Sequence, residues 1–149
     1  MSGSNGSNGA RSAASTGRTV AEIVAAQVSA GRSRVAVVDG DRTLTYAALE
    51  ARANVLAHHL RRHGAERDRT VALVLPRSAD LVIAMLATLR SGAACVPVDP
   101  AVPVERVAAT LADARPCAIV TRRGLAARMP RGAWRREIPA SSTCALRRR

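Results

Sequence analysis

The 149-residue sequence predicts an α/β fold, a partial layered arrangement of parallel strands joined by crossover helices. Three observations predict it. From Val71 onward, short apolar runs alternate with longer segments of helical periodicity in the order strand, helix, strand, helix, strand. Glycine and proline fall at the joins between these segments, most densely in "LRSGAACVPVDP", Leu89 to Pro100. The 48% apolar share is almost wholly aliphatic, since Tyr46 and Trp134 are the only tyrosine and tryptophan and there is no phenylalanine. A core of Ala, Val, Leu and Ile suits packed α/β layers, and a chain of this length holds one such core.

Order is expected to begin near Thr19, because residues 1–18 form a Gly/Ser/Asn-rich leader with too little apolar surface to offset chain entropy. "TVAEIVAAQVSAG" sets Val20, Ile23, Val24 and Val28 on one helical face, with Thr19 as N-cap and Gly31 as the stop. "RVAVVDGDRTLTY" reads as two short strands around Asp39-Gly40-Asp41. "TYAALEARANVLAHHLRRHG" carries Leu49, Ala53, Leu56 and Leu60 as a buried stripe between an N-cap at Thr45 and Gly64. "TVALVLP" is apolar without alternation, as a strand covered on both faces must be.

"SADLVIAMLATLRSG" is predicted to be a helix with Ser78 as cap, Asp80 in the first turn, Arg90 in the last and Gly92 at its end. The strand "AACVPV" is expected to stop at Pro97 and Pro100. The next helix is expected to open with Pro103 at its first position, and "CAIVT" to form another strand. After Thr121 no strand is expected, and "GLAARM" offers only a short helix. The domain reading is therefore 1–18 disordered leader, 19–121 ordered domain and 122–149 basic, disordered tail.

The formal net charge of +12 invites a nucleic-acid reading, but its distribution argues against one. Residues 19–121 hold twelve arginines against ten acidic residues, whereas residues 122–149 hold nine arginines against Glu137 alone. With Trp134 as the tail's single ring there is no stacking platform, and no recognition helix is visible, so specific nucleic-acid binding is not expected. Cys95, Cys117 and Cys144 form no CxxC pair, the N-terminus has no apolar signal region, and the longest apolar run, "LVIAMLATL", is about half a membrane span. A reduced, cytoplasmic protein without membrane contact is the expectation.

The segments "LTYAALEARANVLAHHLRRHG" and "VALVLPRSADLVIAMLATLRSGAACVPVDPAVPVERVAATLADARPCAIVT" together resemble the N-terminal part of an AMP-forming adenylate ligase. Within that group they most resemble the adenylation domain of nonribosomal peptide synthetases. The family's first two core motifs read roughly Leu-Thr-Tyr-x-Glu-Leu and Leu-Lys-Ala-Gly-x-Ala-Tyr-Val-Pro-Ile-Asp. Their counterparts are Leu44-Thr45-Tyr46-Ala47-Ala48-Leu49 and the run Leu89 to Asp99, in order and correctly spaced across about residues 19–121. Ala48 replaces the family's Glu and removes half of a capping box. Arg67-Asp68 replaces a Gly-Asp turn, and Cys95 replaces an aromatic residue.

The resemblance implies the N-terminal subdomain of an adenylate-forming enzyme, in a chain read as truncated. For the intact family it implies activation of an amino acid by ATP to aminoacyl-AMP, then transfer to a phosphopantetheine thiol. It also implies ATP, Mg and phosphopantetheine as cofactors, and the rest of a synthetase or a carrier domain as partner. The family's Ser/Thr/Gly-rich phosphate loop and catalytic lysine have no counterpart here, since the sequence contains no lysine. The chain alone is therefore expected to be inactive, to bind none of these cofactors, and to contribute no catalytic, cofactor-binding or metal residue. A non-catalytic interaction module or a polyanion-binding protein acting through the tail stays open as the alternative, as does self-association through exposed sheet edges.

Individual side chains support these expectations. His58, His59 and His63 include an i, i+4 pair, but two imidazoles need a further ligand and no Cys, Asp or Glu is suitably spaced, so they are read as a solvated helix end. Asp99 and Asp113 lack a catalytic partner, and Asp99 is expected to fix a turn. Cys95 and Cys117 have no neighbour that would lower a thiol pKa.

Overall fold

The computed structural model describes residues 19–126 and 137–139. Helix α1, Val20–Ala30, starts at Thr19, whose hydroxyl accepts from the Glu22 amide while the Glu22 carboxylate accepts from the Thr19 amide at 2.7 Å. This reciprocal capping box fixes the first turn. The predicted apolar face is only partly used: Val28 is buried and Val24 half-buried, but Val20 and Ile23 lie on the exposed first turns.

Strands β1, Val35–Asp39, and β2, Arg42–Thr45, form an antiparallel hairpin closed by Gly40-Asp41, with Gly40 in the left-handed region at φ +59°. Thr45 ends β2 and caps helix α2, Tyr46–Arg62, accepting from the Ala48 amide at 3.2 Å. Leu49, Ala53, Leu56, Ala57 and Leu60 form its buried stripe. The helix ends in a Schellman motif, with Gly64 at φ +87°, its amide donating to Arg61 O and the Ala65 amide donating to Leu60 O.

Four parallel strands follow: β3, Thr70–Val74; β4, Ala94–Val98; β5, Ala118–Thr121; and β6, Glu137–Pro139, in spatial order β4-β3-β5-β6. Helix α3, Ala79–Ser91, connects β3 to β4, and α4, Val104–Ala114, connects β4 to β5; the short α5 spans Arg123–Ala126. Since β4 and β5 flank β3 on opposite sides, right-handed crossovers put α3 and α4 on opposite faces of the sheet. Two cores result. Val71, Leu73, Leu75, Ala118 and Val120 pack with α2 and α3, whereas Ala72, Val74, Val98 and Ile119 pack with Val107 and Leu111 of α4.

Several sequence expectations are corrected. Pro97 does not stop β4 but lies inside it, opposite Leu73, where an edge strand tolerates a residue without an amide proton. Pro103, at φ −52° and ψ 144°, is the residue before α4, not its first helical residue. The expected absence of strands after Thr121 is overturned by β6, in which Ile138 pairs with Val120. A three-residue strand ending in proline is too short to show periodicity, and only its neighbour β5 makes it one. The leader lies outside the described residues, as does the rest of the tail beyond α5 and β6.

Among the described residues no helix is long and apolar enough to cross a membrane. The central strand sets an expected stability pattern. Leu73→Ala, at a fully buried position, should lower unfolding free energy by about 2–5 kcal/mol, and Val82→Ala on the outer side of α3 by less than about 0.5 kcal/mol; urea unfolding followed by circular dichroism measures both.

Candidate functional site

In open parallel sheets, ligands bind outside the carboxyl ends of the strands, at the point where strand order reverses. Here that point lies between β3 and β5. The groups around it are the Leu75 to Ser78 connection, the N-terminus of α3, and Arg122 immediately after β5.

Ser78 has the extended backbone of a cap residue, yet its hydroxyl donates to Pro76 O at 3.1 Å and makes no cap bond. The cap is supplied from 40 residues away, since Asp39 Oδ2 at the end of β1 accepts from the Ala79 amide at 3.0 Å. Beside it, Asp80 receives Arg42 Nη1 from the hairpin at 3.2 Å and Arg122 Nη2 at 2.9 Å. The Asp80 side chain is only 13% exposed, so it binds the hairpin, α3 and the end of β5 into one joint. Chemically, the positive end of α3 and two nearby guanidinium groups are already neutralised by the protein's own carboxylates.

The residues singled out from the sequence do not converge on this joint. Asp99 fixes a turn, its Oδ1 accepting from the Ala101 amide at 2.8 Å. Asp113 is exposed on α4, and Cys95 is half-buried on the edge strand β4. Cys117 lies just before β5 and directs its thiol at Thr70 O, 3.2 Å away; burial pushes its pKa up. His58, His59 and His63 sit at the far end of α2, where burial first, and then the neighbouring His63 and Arg62, push the His59 pKa down. Trp134 lies outside the described residues. Sequence reasoning missed Asp39 and the bridging role of Asp80; the Asp-Gly-Asp turn marks only a hairpin, and no local signal reveals a cap contributed by a distant strand.

The chain's relationships explain a scaffold of this kind. The model of the family described as "AMP-binding enzyme" matches residues 24–145. The chain belongs to the AMP-binding enzyme family.

Within that family its relatives are synthetases. It is 45% identical over 108 residues to a linear gramicidin synthase polypeptide of Brevibacillus parabrevis, covering 72% of this chain and 1% of that protein. It is 46% identical over 114 residues to novobiocin biosynthesis protein H of Streptomyces niveus, covering 76% of this chain and 19% of that protein. Among solved structures, the N-terminal subdomain of Klebsiella oxytoca NpsA in complex with anthranilyl-AMSN superposes with a TM-score of 0.73 at 27% identity, covering 83% of this chain and 31% of that one. The nonribosomal peptide synthetase FmoA3, in a form bound to alpha-methyl-L-serine-AMP, gives a TM-score of 0.77 at 26% identity, covering 85% of this chain and 14% of that one. The AMP-binding fold of this chain thus corresponds to the N-terminal subdomain of an adenylation domain, and the chain spans a third or less of each of these proteins.

One measurement tests the joint and a second tests Cys117, which lies outside it. Asp39→Ala should cost about 0.5–2 kcal/mol by uncapping α3, whereas Ser78→Ala should cost clearly less because its hydroxyl caps nothing; thermal unfolding of both variants decides. Iodoacetamide at about pH 8 should modify Cys117 more slowly in the native protein than in urea, because a raised pKa leaves less thiolate at that pH; peptide mass spectrometry gives the ratio.

Proposed function

We propose that this chain provides the N-terminal scaffold of an amino-acid-activating adenylation domain in nonribosomal peptide synthesis and is catalytically silent alone. The intact reaction would join an amino-acid carboxylate to the α-phosphate of ATP with loss of pyrophosphate. A phosphopantetheine thiol would then take the acyl group and release AMP. The observation that carries the reading is the continuous family match over residues 24–145, joined to a sheet in which the described residues offer structure and no reactive constellation.

ATP and Mg do not fit the described residues. The first amide of α3 is taken by Asp39, Arg42 and Arg122 are committed to Asp80, and the sequence has no lysine to reach an outer phosphate. Among the described residues no group of three or more His, Cys, Asp or Glu is placed to hold a metal ion. No chemical step is therefore assigned to this chain. Its partners under this reading are the other domains of a synthetase, including a carrier domain bearing the phosphopantetheine. The strand β6 and a match running to residue 145 support reading residues 122–145 as part of the domain rather than as an independent polyanion-binding arm.

The test is amino-acid-dependent ATP–pyrophosphate exchange by the purified chain, across the proteinogenic amino acids. No exchange above the enzyme-free rate is expected, and clear turnover with any of them would overturn the silent-scaffold reading. Groups that stabilise developing phosphate charge supply most of the acceleration in such chemistry, so without them the rate should fall to background.

A further inference from the structure

The C-terminal turn of α2 holds a pair of side chains that the scaffold reading does not use. His59 and His63 are four residues apart and therefore stack along one helical face, with ring centroids 4.4 Å apart and planes inclined at 40°. His63 Nδ1 lies 2.9 Å from the His59 carbonyl oxygen. A carbonyl can only accept, so Nδ1 carries the proton in this contact and the lone pair of the neutral ring stands on Nε2. Metal-bound histidines typically show this arrangement, one nitrogen donating to a carbonyl and the other facing the ion.

The surroundings permit a cation. Both rings are half-buried, and no histidine nitrogen is among the buried, unpartnered polar atoms of the described residues. The pair sits at the negative end of a 17-residue helix, whose last carbonyls offset nearby positive charge. Arg61 reaches away to the backbone carbonyl of Arg90 on α3, which leaves Arg62 as the opposing charge beside the rings. His58, one residue earlier, projects about 100° round the helix from His59 and is exposed.

We propose that His59 and His63 form a two-imidazole site for a borderline divalent transition-metal ion, bound through Nε2 of His63 and a ring nitrogen of His59, with water completing the coordination. Imidazole donors favour copper, nickel and zinc over magnesium and calcium, and copper(II) binds most tightly in the first-row series. With only two protein ligands the ion is exchangeable.

The test is calorimetric titration of the full chain with copper(II) chloride in a non-coordinating buffer, with zinc chloride and magnesium chloride in parallel. Saturable binding to this pair is expected for copper(II), weaker for zinc and not detectable for magnesium. His59→Ala and His63→Ala should each weaken it at least about tenfold, and His58→Ala should leave it unchanged. Bound copper(II) should also raise the thermal midpoint of the wild type and not of His63→Ala, a readout that does not depend on comparing absolute affinities. Circular dichroism verifies that each variant is folded, and the glutamine substitution at the same position replaces any alanine variant that is not. Absence of saturable copper binding, or binding as strong in His59→Ala and His63→Ala as in the wild type, overturns the proposal. An equal loss in His58→Ala does the same.

Discussion

The described structure depends on strand β3 being buried on both faces and paired along both edges. Val71, Ala72 and Leu73 have no exposed surface, and each has a partner in β4 on one side and in β5 on the other. Parallel pairing cannot be closed by a tight turn, so each neighbour must be reached by a crossover long enough to hold a helix. Two neighbours on opposite sides then require helices on opposite faces, and those helices bury the apolar side chains of β3 in both directions. Each fully buried Val or Leu contributes about 1.5–3 kcal/mol, which makes a strand of apolar side chains the most effective centre for an aliphatic core.

The elements preceding β3 are fastened to it indirectly. A two-stranded hairpin is marginal by itself, and β1–β2 persists because Leu44 enters the larger core and because polar ties hold its end. Asp39 accepts from the first amide of α3, and Arg42 meets Asp80 one residue further on. At the other end of α3, Arg90 reaches back to Glu50 and Asn54 on α2, and Arg61 of α2 donates to the Arg90 carbonyl. Ion pairs of this sort contribute little net energy where solvent reaches them. Their geometric effect is larger, because α3 packs closely on α2 through small residues such as Ala53, Ala57, Ala84 and Ala87, which alone would allow it to slide.

What was legible in the sequence follows from which interactions are local. The caps at Thr19 and Thr45, the turn at Gly40, the exits at Gly64 and Gly92 and the unbroken apolar run of β3 are all written in neighbouring residues, and each was readable. The family resemblance carried by Leu44 to Leu49 and Leu89 to Asp99 was readable for the same reason. Three features were not. Ser78 looks like a cap, but the Asp39 carboxylate at the end of β1 takes its role. Val20 and Ile23 fit an apolar face that the fold leaves open at its start. Glu137–Pro139 becomes a strand only because the edge of β5 offers it hydrogen bonds. The left-handed residue in the Arg67-Asp68 turn is a related case: sequence marked the missing glycine, and structure shows Asp68 itself taking φ +62°, a conformation that aspartate tolerates better than most residues.

The joint at the strand ends bears on how an adenylation fold separates support from chemistry. Sheets that bind nucleotides at the switch point leave a helix amide end open and line it with glycine, so that phosphate can approach the backbone. Here the approach to α3 is Pro76-Arg77-Ser78, and its first amide is already bonded to a carboxylate. A phosphate entering this crevice would have to displace Asp39, separate Asp80 from two arginines and then lie beside both freed carboxylates. Each change opposes binding, through lost charge-assisted hydrogen bonds and through like-charge repulsion. The same residues that would make the crevice a phosphate site in another doubly wound sheet therefore hold the hairpin, α3 and β5 together in this one.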